Sequence, residues 1–327
     1  MGKYINYLFN GKNNSGGGKA RTDIRKILHE LGYSPVNIGS NSKNKAFRNL
    51  QHVCRLFLLP FKIRKTDIVV WQFPYVYNFP KLFFWMMSLC KAGQVVMIHD
   101  LDYLRGGKDD GKAAYSLLQR ALRIIVATTA MRDALKERIG NKPTMIVSEI
   151  FDYLTDTECQ YKSNCSDTVV FGGNLYKSEF IKDLHKTAGN LKFYLYGSGN
   201  ASCNTDKTEY MGVFNADDIS DIKGDWGLVW DGDSIKTCNG EYGKYLQVCA
   251  SHKNSLYLVC GKPLIVWNKS AMSDFVKNNG LGICVDSLDE ISDRINSLTL
   301  EEKQTILHNV AEVSMKLRSG YYFKKSL

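Results

Sequence analysis

Residues 168–174 read Thr-Val-Val-Phe-Gly-Gly-Asn, a run of β-forming residues that ends in two glycines. This pattern predicts a buried strand followed at once by a tight loop. Residues 191–199 repeat the pattern, because their largely apolar run ends in Gly-Ser-Gly. Continuous apolar strands of this kind are typical of parallel sheets that helices cover on both faces. We therefore interpret this part of the chain as an α/β sheet with small-residue loops at its strand ends.

The alternation of strands and helices continues in both directions along the chain. In the first half we predict strands at 4–9, 35–38, 67–72, 94–99, 124–127 and 144–147, with helices between them. In the second half we predict strands at 168–171, 191–196, 227–230, 264–267 and 282–285. Two such series predict an α/β protein of two Rossmann-like, doubly wound parallel-sheet domains that face a cleft.

The length of 327 residues also suits two domains. We predict an N-terminal domain at 1–152 and a C-terminal domain at 153–310. A C-terminal helix at 311–327 would cross back to the N-terminal domain.

The composition is basic, because 43 Lys and Arg residues against 33 Asp and Glu residues give a formal charge of +10. Nucleic acid, an anionic membrane surface or an acidic small molecule would each suit such a charge. No nucleic-acid recognition motif accompanies the charge, so we expect no nucleic-acid partner. The longest apolar run, 82–90, is far shorter than the roughly 20 residues of a membrane-spanning helix. We expect a cytoplasmic protein that is soluble or peripheral at the inner face of the cell membrane.

The segment between Lys43 and Lys65 interleaves basic and apolar side chains at helical spacing. One interpretation is an interfacial helix that contacts anionic lipid. The other is an amphipathic helix that faces the core and leaves its basic face in water. The sequence leaves both interpretations open.

A glycine-rich loop follows the first predicted strand, and Lys19 and Arg21 come directly after it. The loop is not a P-loop, because Gly17 stands where that motif needs lysine and Ala20 follows Lys19. A glycine-rich turn before a helix still lets a ligand approach the backbone N–H groups. Lys19 and Arg21 can reach an anion from this position, and a plain surface turn is the alternative.

Two carboxylates, Asp100 and Asp102, follow the predicted strand 94–99. Polar residues at a strand end of an α/β domain project toward the ligand crevice, where a carboxylate can act as a general base on a hydroxyl. No third carboxylate is close in sequence, and the histidines and cysteines show no metal-ligand spacing, so we expect no metal. In the alternative interpretation, Asp100 caps the loop.

The C-terminal half carries features that suit a nucleotide. Asn174 and Gly197 lie in the two small-residue loops, and Phe214 is an aromatic residue that can stack on a base. Lys253 is predicted near a helix N-terminus, where fixed charge, dipole and N–H groups favour a pyrophosphate. Such a group can stabilise a departing diphosphate without a metal ion. Core packing of Phe214 and a solvated Lys253 are the alternatives.

Several longer motifs carry a family resemblance. They are Ile-His-Asp-Leu-Asp at 98–102, Trp-Asp-Gly-Asp-Ser at 230–234 and His-Lys-Asn-Ser-Leu-Tyr-Leu at 252–258, with shorter matches at 19–21, 151–154 and 173–175. On these residues the chain resembles bacterial β-1,6-galactofuranosyltransferases of O-antigen assembly. It is more distantly similar to a streptococcal adhesin glucosyltransferase. Both groups are of the GT-B type, so the resemblance implies that architecture here. It also implies that the N-terminal domain at 1–152 binds the acceptor and that the C-terminal domain at 153–310 binds the UDP-sugar donor.

The resemblance implies an inverting transfer of galactofuranose from a UDP-galactofuranose donor, with no cofactor and no metal. The acceptor would be a hydroxyl, O6 of a hexose, on a growing, lipid-linked cell-surface glycan. Asp100 is the first choice for the base and Asp102 the second. The donor-side residues that we predict are Gly17, Lys19, Arg21, Asn174, Lys177, Gly197, Phe214, Asp231, Asp233, His252, Lys253 and Ser255.

Within that set, the resemblance implies that Lys253 contacts the diphosphate and that Phe214 lies near the uracil ring. The paired-glutamate motif of wider GT-B families is missing, so Asp231 and Asp233 are left for the sugar hydroxyls. A glucosyl- or galactopyranosyltransferase and a non-catalytic scaffold of glycan assembly are the alternative functions. The sequence is also compatible with a homo-oligomer.

Overall fold

The structure is a computed structural model that describes residues 1–7, 16–107, 109–157, 165–199 and 204–327. Of these, the residues within 1–7, 21–148 and 323–327 form one compact unit. The residues within 16–20 and 149–322 form the other. We call these the first unit and the second unit. Residues 311–322 lie in the second unit.

The first unit is built on a parallel sheet that has six strands in the described residues. The strands are β1 (Gly2–Asn6), β2 (Ser34–Asn37), β3 (Ile68–Phe73), β4 (Gly93–Ile98), β5 (Arg123–Val126) and β6 (Thr144–Val147). Their order is β2-β1-β3-β4-β5-β6, and every pairing is parallel. Val70, Val96 and Ile125 are buried on this sheet. The order reverses between β1 and β3, which makes that point the switch point of the sheet.

Helices flank the strands of the first unit. They are α1 (Gly16–Glu30), α2 (Lys45–Phe57), α3 (Leu59–Lys62), α4 (Pro80–Leu89), α5 (Gly111–Leu118) and α6 (Thr129–Ile139). Polar caps begin two of them, because Asn44 accepts from the Phe47 N–H at 3.1 Å and Thr128 from the Met131 N–H at 3.0 Å. These bonds satisfy N–H groups that a helix N-terminus leaves unpaired. The first residues of α1, 16–20, belong to the second unit.

The second unit is built on another parallel sheet with six strands in the described residues. They are β7 (Thr168–Gly172), β8 (Lys192–Tyr196), β9 (Thr208–Gly212), β10 (Trp226–Val229), β11 (Leu264–Trp267) and β12 (Gly282–Val285). Their order is β12-β11-β10-β7-β8-β9. Counted from β7, this is the strand order of dinucleotide-binding sheets, whose switch point lies between β7 and β10.

Further helices cover this sheet. They are α7 (Gly240–Tyr245), α8 (His252–Val259), α9 (Ser273–Asn278), α10 (Ile291–Asn296), α11 (Leu300–Arg318) and α12 (Tyr321–Ser326), whose last residues fall in the first unit. The long helix α11 starts with a capping box, in which Thr299 and Glu302 each bond the other's backbone N–H. No helix among the described residues combines the length and the apolar character that a membrane crossing requires.

The two parallel sheets confirm the predicted fold class, and single elements differ from the prediction. Between the predicted strands 168–171 and 191–196, where the alternating pattern predicts an α-helix at 180–188, the structure has a 3-10 helix, Glu179–Lys186. Its ion pairs Glu179–Lys182 and Asp183–Lys186 are three residues apart, which suits a helix with three residues per turn. The edge strand β9 was not predicted, because its residues Thr-Glu-Tyr-Met-Gly lack an apolar run.

Candidate functional site

A cavity of about 380 Å³ lies at the carboxyl ends of the strands of the second unit. β7 ends at Gly172, β8 at Tyr196 and β10 at Val229, and β7 is hydrogen-bonded between the other two. Open α/β sheets bind ligands at this switch point, and small-molecule sites measure about 300–1,000 Å³. The lining residues are Tyr153, Gly172, Gly173, Asn174, Gly197, Ser198, Val213, Phe214, Ala216, Ser251, His252, Lys253 and Leu256.

Two glycine loops pack backbone against backbone at one wall of the cavity. Gly197 has a φ of 135°, and a Cβ there would lie 1.6 Å from the carbonyl oxygen of Gly173. The Gly173 N–H donates to the Tyr196 carbonyl at 2.9 Å, and the Leu175 N–H to the Ser198 carbonyl at the same distance. Position 197 therefore requires glycine. Without side chains in the way, a ligand can reach the main-chain groups of both loops.

Tyr257 of α8 holds the first glycine loop in place. The Gly172 N–H donates to its hydroxyl at 2.7 Å, and the tyrosine is fully buried. Burial raises the pKa of Tyr257, so the hydroxyl stays protonated. A Cβ at Gly227 would lie 2.2 Å from the tyrosine ring, so glycine in β10 makes room for it. The residues Gly172, Gly227 and Tyr257 thus form one joint between β7, β10 and α8.

Lys253 is the second residue of α8, and the loop after β10 holds its side chain. Its Nζ donates to the Trp230 carbonyl and to Asp231 Oδ2, both at 3.0 Å. It also lies 4.7 Å from the ring centroid of Phe171. These partners fix a positive charge next to the N–H groups of a helix N-terminus, where an anion is favoured. Contact of Lys253 with a diphosphate stays a prediction.

His252 lies beside Lys253 in the cavity wall as a neutral base. Burial lowers its pKa to about 3, and the charge of Lys19 lowers it further. Within the described residues, its buried Nε2 has no hydrogen-bond partner. The ring lies 5.1 Å from that of Tyr153. A neutral imidazole with an unused ring nitrogen can accept or donate one hydrogen bond to a ligand.

Two more predicted donor residues line the cavity. Phe214 is half-buried and packs edge-on against Tyr196 at 5.8 Å between centroids. Such a ring can offer a face to a flat base. Asn174 accepts the Tyr176 N–H at 3.1 Å, which fixes its side chain in the loop after β7. The structure therefore brings Asn174, Gly197 and Phe214 together with the His252–Lys253 pair.

Lys19 lies behind the cavity wall. Its side chain is fully buried, and its Nζ donates to the Leu154 carbonyl. The same nitrogen lies 3.7 Å from Asp217 Oδ1 and 4.6 Å from the ring centroid of Tyr153. It therefore supports Tyr153, which lines the cavity, and does not itself line it. A buried ammonium group is stable only with partners of this kind.

The remaining predicted donor-side residues of this unit do not line the cavity; they are Gly17, Lys177, Asp231, Asp233 and Ser255. Lys177 is exposed, and its Nζ donates to the hydroxyl of Tyr242 at 3.2 Å. Ser255 is buried and donates to the Phe151 carbonyl at 2.6 Å. This bond orders the segment that carries Tyr153.

Asp100 and Asp102, the predicted bases, lie in the first unit after β4. Arg105 binds both carboxylates, with Nη1 at 3.5 Å from Asp100 Oδ1 and Nε at 2.8 Å from Asp102 Oδ1. Arg21 lies in the same unit and donates to the Pro74 carbonyl at 2.9 Å. Burial lowers the pKa of Arg21, and the charges of Asp100 and Asp102 oppose that shift. Each carboxylate is about 30% exposed and so stays accessible to solvent.

The sequence interpretation missed several lining residues: Tyr153, Ser198, Val213, Ala216, Ser251 and Leu256. For Tyr153 a signal existed, because it lies in the matched motif at 151–154. Val213 and Ala216 follow β9, which the sequence did not predict.

Within the part of the chain that the structure describes, no group of three or more His, Cys, Asp or Glu side chains is placed to hold a metal ion. The expectation of a metal-independent protein stays a prediction.

Nearly the whole chain matches a known protein family. The N-terminal domain of the "Glucosyltransferase 3-like" family matches residues 2–150, and its C-terminal domain matches residues 169–327. The β-1,6-galactofuranosyltransferase WbbI of Escherichia coli K12 is 32% identical over 81% of this chain and 79% of its own length. Glucosyltransferase 3 of Streptococcus gordonii is 24% identical over 94% of this chain and 92% of its own length.

These relatives confirm the resemblance that the motifs indicate. Among solved structures, sucrose-phosphate synthase of Thermosynechococcus elongatus superposes with a TM-score of 0.63 at 10% identity, covering 99% of this chain and 96% of its own. An α-glucosyltransferase solved in complex with UDP reaches 0.61 at 12% identity, covering 99% of this chain and 98% of its own. At such identities the likeness concerns the fold, and it agrees with the predicted GT-B class.

Proposed function

The chain belongs to the glucosyltransferase 3-like family, and we propose that it is a glycosyltransferase whose second unit binds a UDP-sugar. One observation carries the proposal: the cavity at the switch point of the second sheet joins a fixed lysine, a helix N-terminus, two glycine loops and an aromatic ring. Each of these features suits one part of a nucleoside diphosphate: its charge, its phosphate oxygens or its base.

The proposed pose follows from the chemistry of the wall. The diphosphate would lie against Lys253 and the N-terminus of α8. The base would lie on the ring of Phe214, and the backbone of Gly173 and Gly197 would border the ribose or the phosphates. The cavity is large enough for most of such a ligand.

In this proposal Lys253 also stabilises the leaving group, and its ion pair with Asp231 holds it in position. In the structure the two form an ion pair at 3.0 Å, so the ammonium group already points at the strand end. When the glycosidic bond to UDP breaks, negative charge develops on the leaving phosphate, and a positive group fixed beforehand stabilises it. We propose further that Asp231, which lies next to the lining residue Lys253, accepts hydrogen bonds from hydroxyls of the donor sugar.

For the transfer itself we propose one displacement with inversion. The acceptor oxygen attacks the anomeric carbon, the bond to the UDP oxygen breaks, and UDP leaves with the bonding electrons. A carboxylate takes the acceptor's proton, with Asp100 as first choice and Asp102 as second. Both are exposed enough to meet a hydroxyl, and no metal takes part in this scheme.

We propose galactofuranose as the transferred sugar and O6 of a hexose as its acceptor. The relative at 32% identity, a β-1,6-galactofuranosyltransferase, supports this choice. A glucosyl donor is the second candidate, because the streptococcal glucosyltransferase aligns over more of the chain.

A donor panel tests the proposal. UDP-galactofuranose, UDP-galactose and UDP-glucose are incubated with the protein, and UDP release is measured with and without hexoside acceptors. We expect UDP-galactofuranose to be turned over about tenfold faster than the others, or more, and Lys253→Ala to lose most of that rate. Turnover of UDP-glucose alone would show that the donor is wrong. Turnover of none would refute the transferase proposal.

A further inference from the structure

The outer face of α2 in the first unit is apolar and exposed. Phe47, Leu50, Cys54 and Phe57 follow each other at spacings of three, four and three residues, so they share one side of the helix. Phe47 is 52% exposed, Leu50 58% and Phe57 47%, and Cys54 is exposed as well. The opposite side of the helix carries the buried Leu56. The helix therefore has its own core contact and a second apolar stripe that faces solvent.

Neighbouring helices extend this stripe. Phe61 of α3 is 83% exposed, while Trp85 and Leu89 of α4 are 55% and 50% exposed. The rings of Phe57 and Trp85 meet edge-on, with centroids 6.5 Å apart, so the exposed surfaces of α2 and α4 are continuous. We call Phe47, Leu50, Phe57, Phe61, Trp85 and Leu89 the apolar face. An exposed patch of this kind on a folded protein marks a surface that binds something.

The segment that carries the apolar face is strongly basic. Between Leu31 and His99 the sequence holds nine Lys and Arg residues and a single acidic residue, Asp67. Asp67 is buried and paired with Lys3 at 2.9 Å, so it adds no negative charge to the surface. Five of the basic residues that lie close in sequence to the face are exposed: Lys43, Lys45, Lys62, Arg64 and Lys65. The segment that carries the apolar face thus also carries exposed basic residues.

We infer that this face binds the surface of a bilayer that contains anionic phospholipid. Aromatic and leucine side chains enter the acyl boundary, and the lysines and arginines around them meet the lipid phosphates. A second copy of the chain fits the face less well, because two such faces would bring eighteen basic residues together with no exposed acidic partner from this segment. The inference uses residues of the first unit alone and does not depend on the proposed donor or transfer.

Trp85 supplies a direct probe. Of the five tryptophans, Trp71, Trp226, Trp230 and Trp267 are at most 3% exposed, whereas Trp85 is 55% exposed. Vesicles whose lipids carry bromine on the acyl chains quench tryptophan that enters them. We expect quenching by brominated phosphatidylglycerol mixed with phosphatidylcholine, little by phosphatidylcholine alone, and a decrease with added salt. The variant Trp85→Phe should lose the quenching and keep its vesicle binding in flotation.

Charge introduced into the apolar face should remove the binding. We expect Leu50→Asp and Phe61→Asp to weaken binding to phosphatidylglycerol vesicles by about tenfold or more. Leu300→Asp is the matched control, because Leu300 of α11 is also 58% exposed but lies in the second unit. All three side chains are exposed, so we expect the melting temperature of each variant to stay close to that of the wild type. A clear drop in melting temperature would reveal a folding defect.

Three outcomes would overturn the inference. The first is no quenching and no flotation with the wild-type chain. The second is equal vesicle binding by Leu50→Asp, Phe61→Asp and Leu300→Asp. The third is a homo-oligomer in sedimentation that Phe61→Asp dissociates, without vesicle binding by either form.

Discussion

Lys253 shows how one residue gives the proposed site its character. A lysine on a surface helix is ordinarily solvated and mobile, but this one is only 14% exposed and has two oxygen partners at 3.0 Å. A charge held in this way needs no rearrangement when an anion arrives. The neutral His252 beside it adds no competing charge, because burial lowers its pKa to about 3.

We expect Lys253→Ala to weaken UDP binding at least tenfold, which corresponds to about 1.4 kcal/mol. The change removes the fixed charge and takes from Asp231 its ion-pair partner, so a negative charge without compensation lies close to the cavity wall and disfavours a diphosphate. Calorimetric titration with UDP measures the effect. Lys186→Ala is the control, because Lys186 carries the same charge in the same unit but is 60% exposed. Equal affinity of the Lys253 variant and the control would remove the diphosphate role.

The burial of Lys19 could not be predicted from the sequence around it. Its position after a glycine-rich loop suggests a cation that reaches for a ligand, yet the side chain is buried behind Tyr153. The partner that decides this, the carbonyl of Leu154, is 135 residues away in the sequence. Local spacing carries no information about such a contact.

At the scale of elements, the joint between β7, β10 and α8 shapes the cavity. Gly172 ends β7, and Tyr257 reaches its N–H from α8 through the space that Gly227 leaves in β10. Lys253 and Tyr257 are four residues apart in the motif at 252–258, so they share one side of α8. From that side Lys253 reaches the cavity wall, and Tyr257 reaches the sheet.

We expect Tyr257→Phe to lower the free energy of unfolding by about 1–3 kcal/mol, because the buried Gly172 N–H loses its acceptor. The phenyl ring keeps the packing of the tyrosine, so the decrease in the free energy of unfolding measures the contribution of the hydrogen bond. Denaturant titration measures it, and the KM for the donor should rise because the glycine loop is less fixed. Tyr242→Phe is the control, because Tyr242 is exposed and its hydroxyl accepts a hydrogen bond from Lys177. If both variants unfold alike, the joint has no special role.

Most strands were predictable because each is a short, continuous apolar run between turn residues. β11 and β12, for example, have the predicted bounds, 264–267 and 282–285. The 3-10 helix Glu179–Lys186 and the polar edge strand β9 were not predictable in the same way. Their conformation depends on packing against the sheet, which the local pattern does not encode.

At the scale of the whole molecule, the charge of +10 is unevenly distributed along the chain. The segment from Leu31 to His99 alone has nine basic residues and one acidic one. The sequence left a lipid-facing and a core-facing interpretation open for its helices. The structure has both an inner face, with Leu56 and Leu59 buried, and the exposed apolar face. A helix of this kind can pack against the core with one side and bind a partner with the other.

We expect full transferase activity in the presence of EDTA. The positive potential that a metal ion would supply to the diphosphate comes, in our proposal, from Lys253 and the N-terminus of α8. Product formation with the preferred donor is measured with EDTA and then with added Mn²⁺ or Mg²⁺. Activity that EDTA abolishes and Mn²⁺ restores would contradict this expectation.

The central claim is that the cavity at the switch point of the second sheet binds the nucleotide of the donor. A crystal structure of the chain with UDP tests it most directly. We predict the diphosphate within hydrogen-bond distance of Lys253 Nζ and of the N–H groups at the start of α8, with uracil on the ring of Phe214. UDP bound in any other place, with this cavity empty, would contradict the claim.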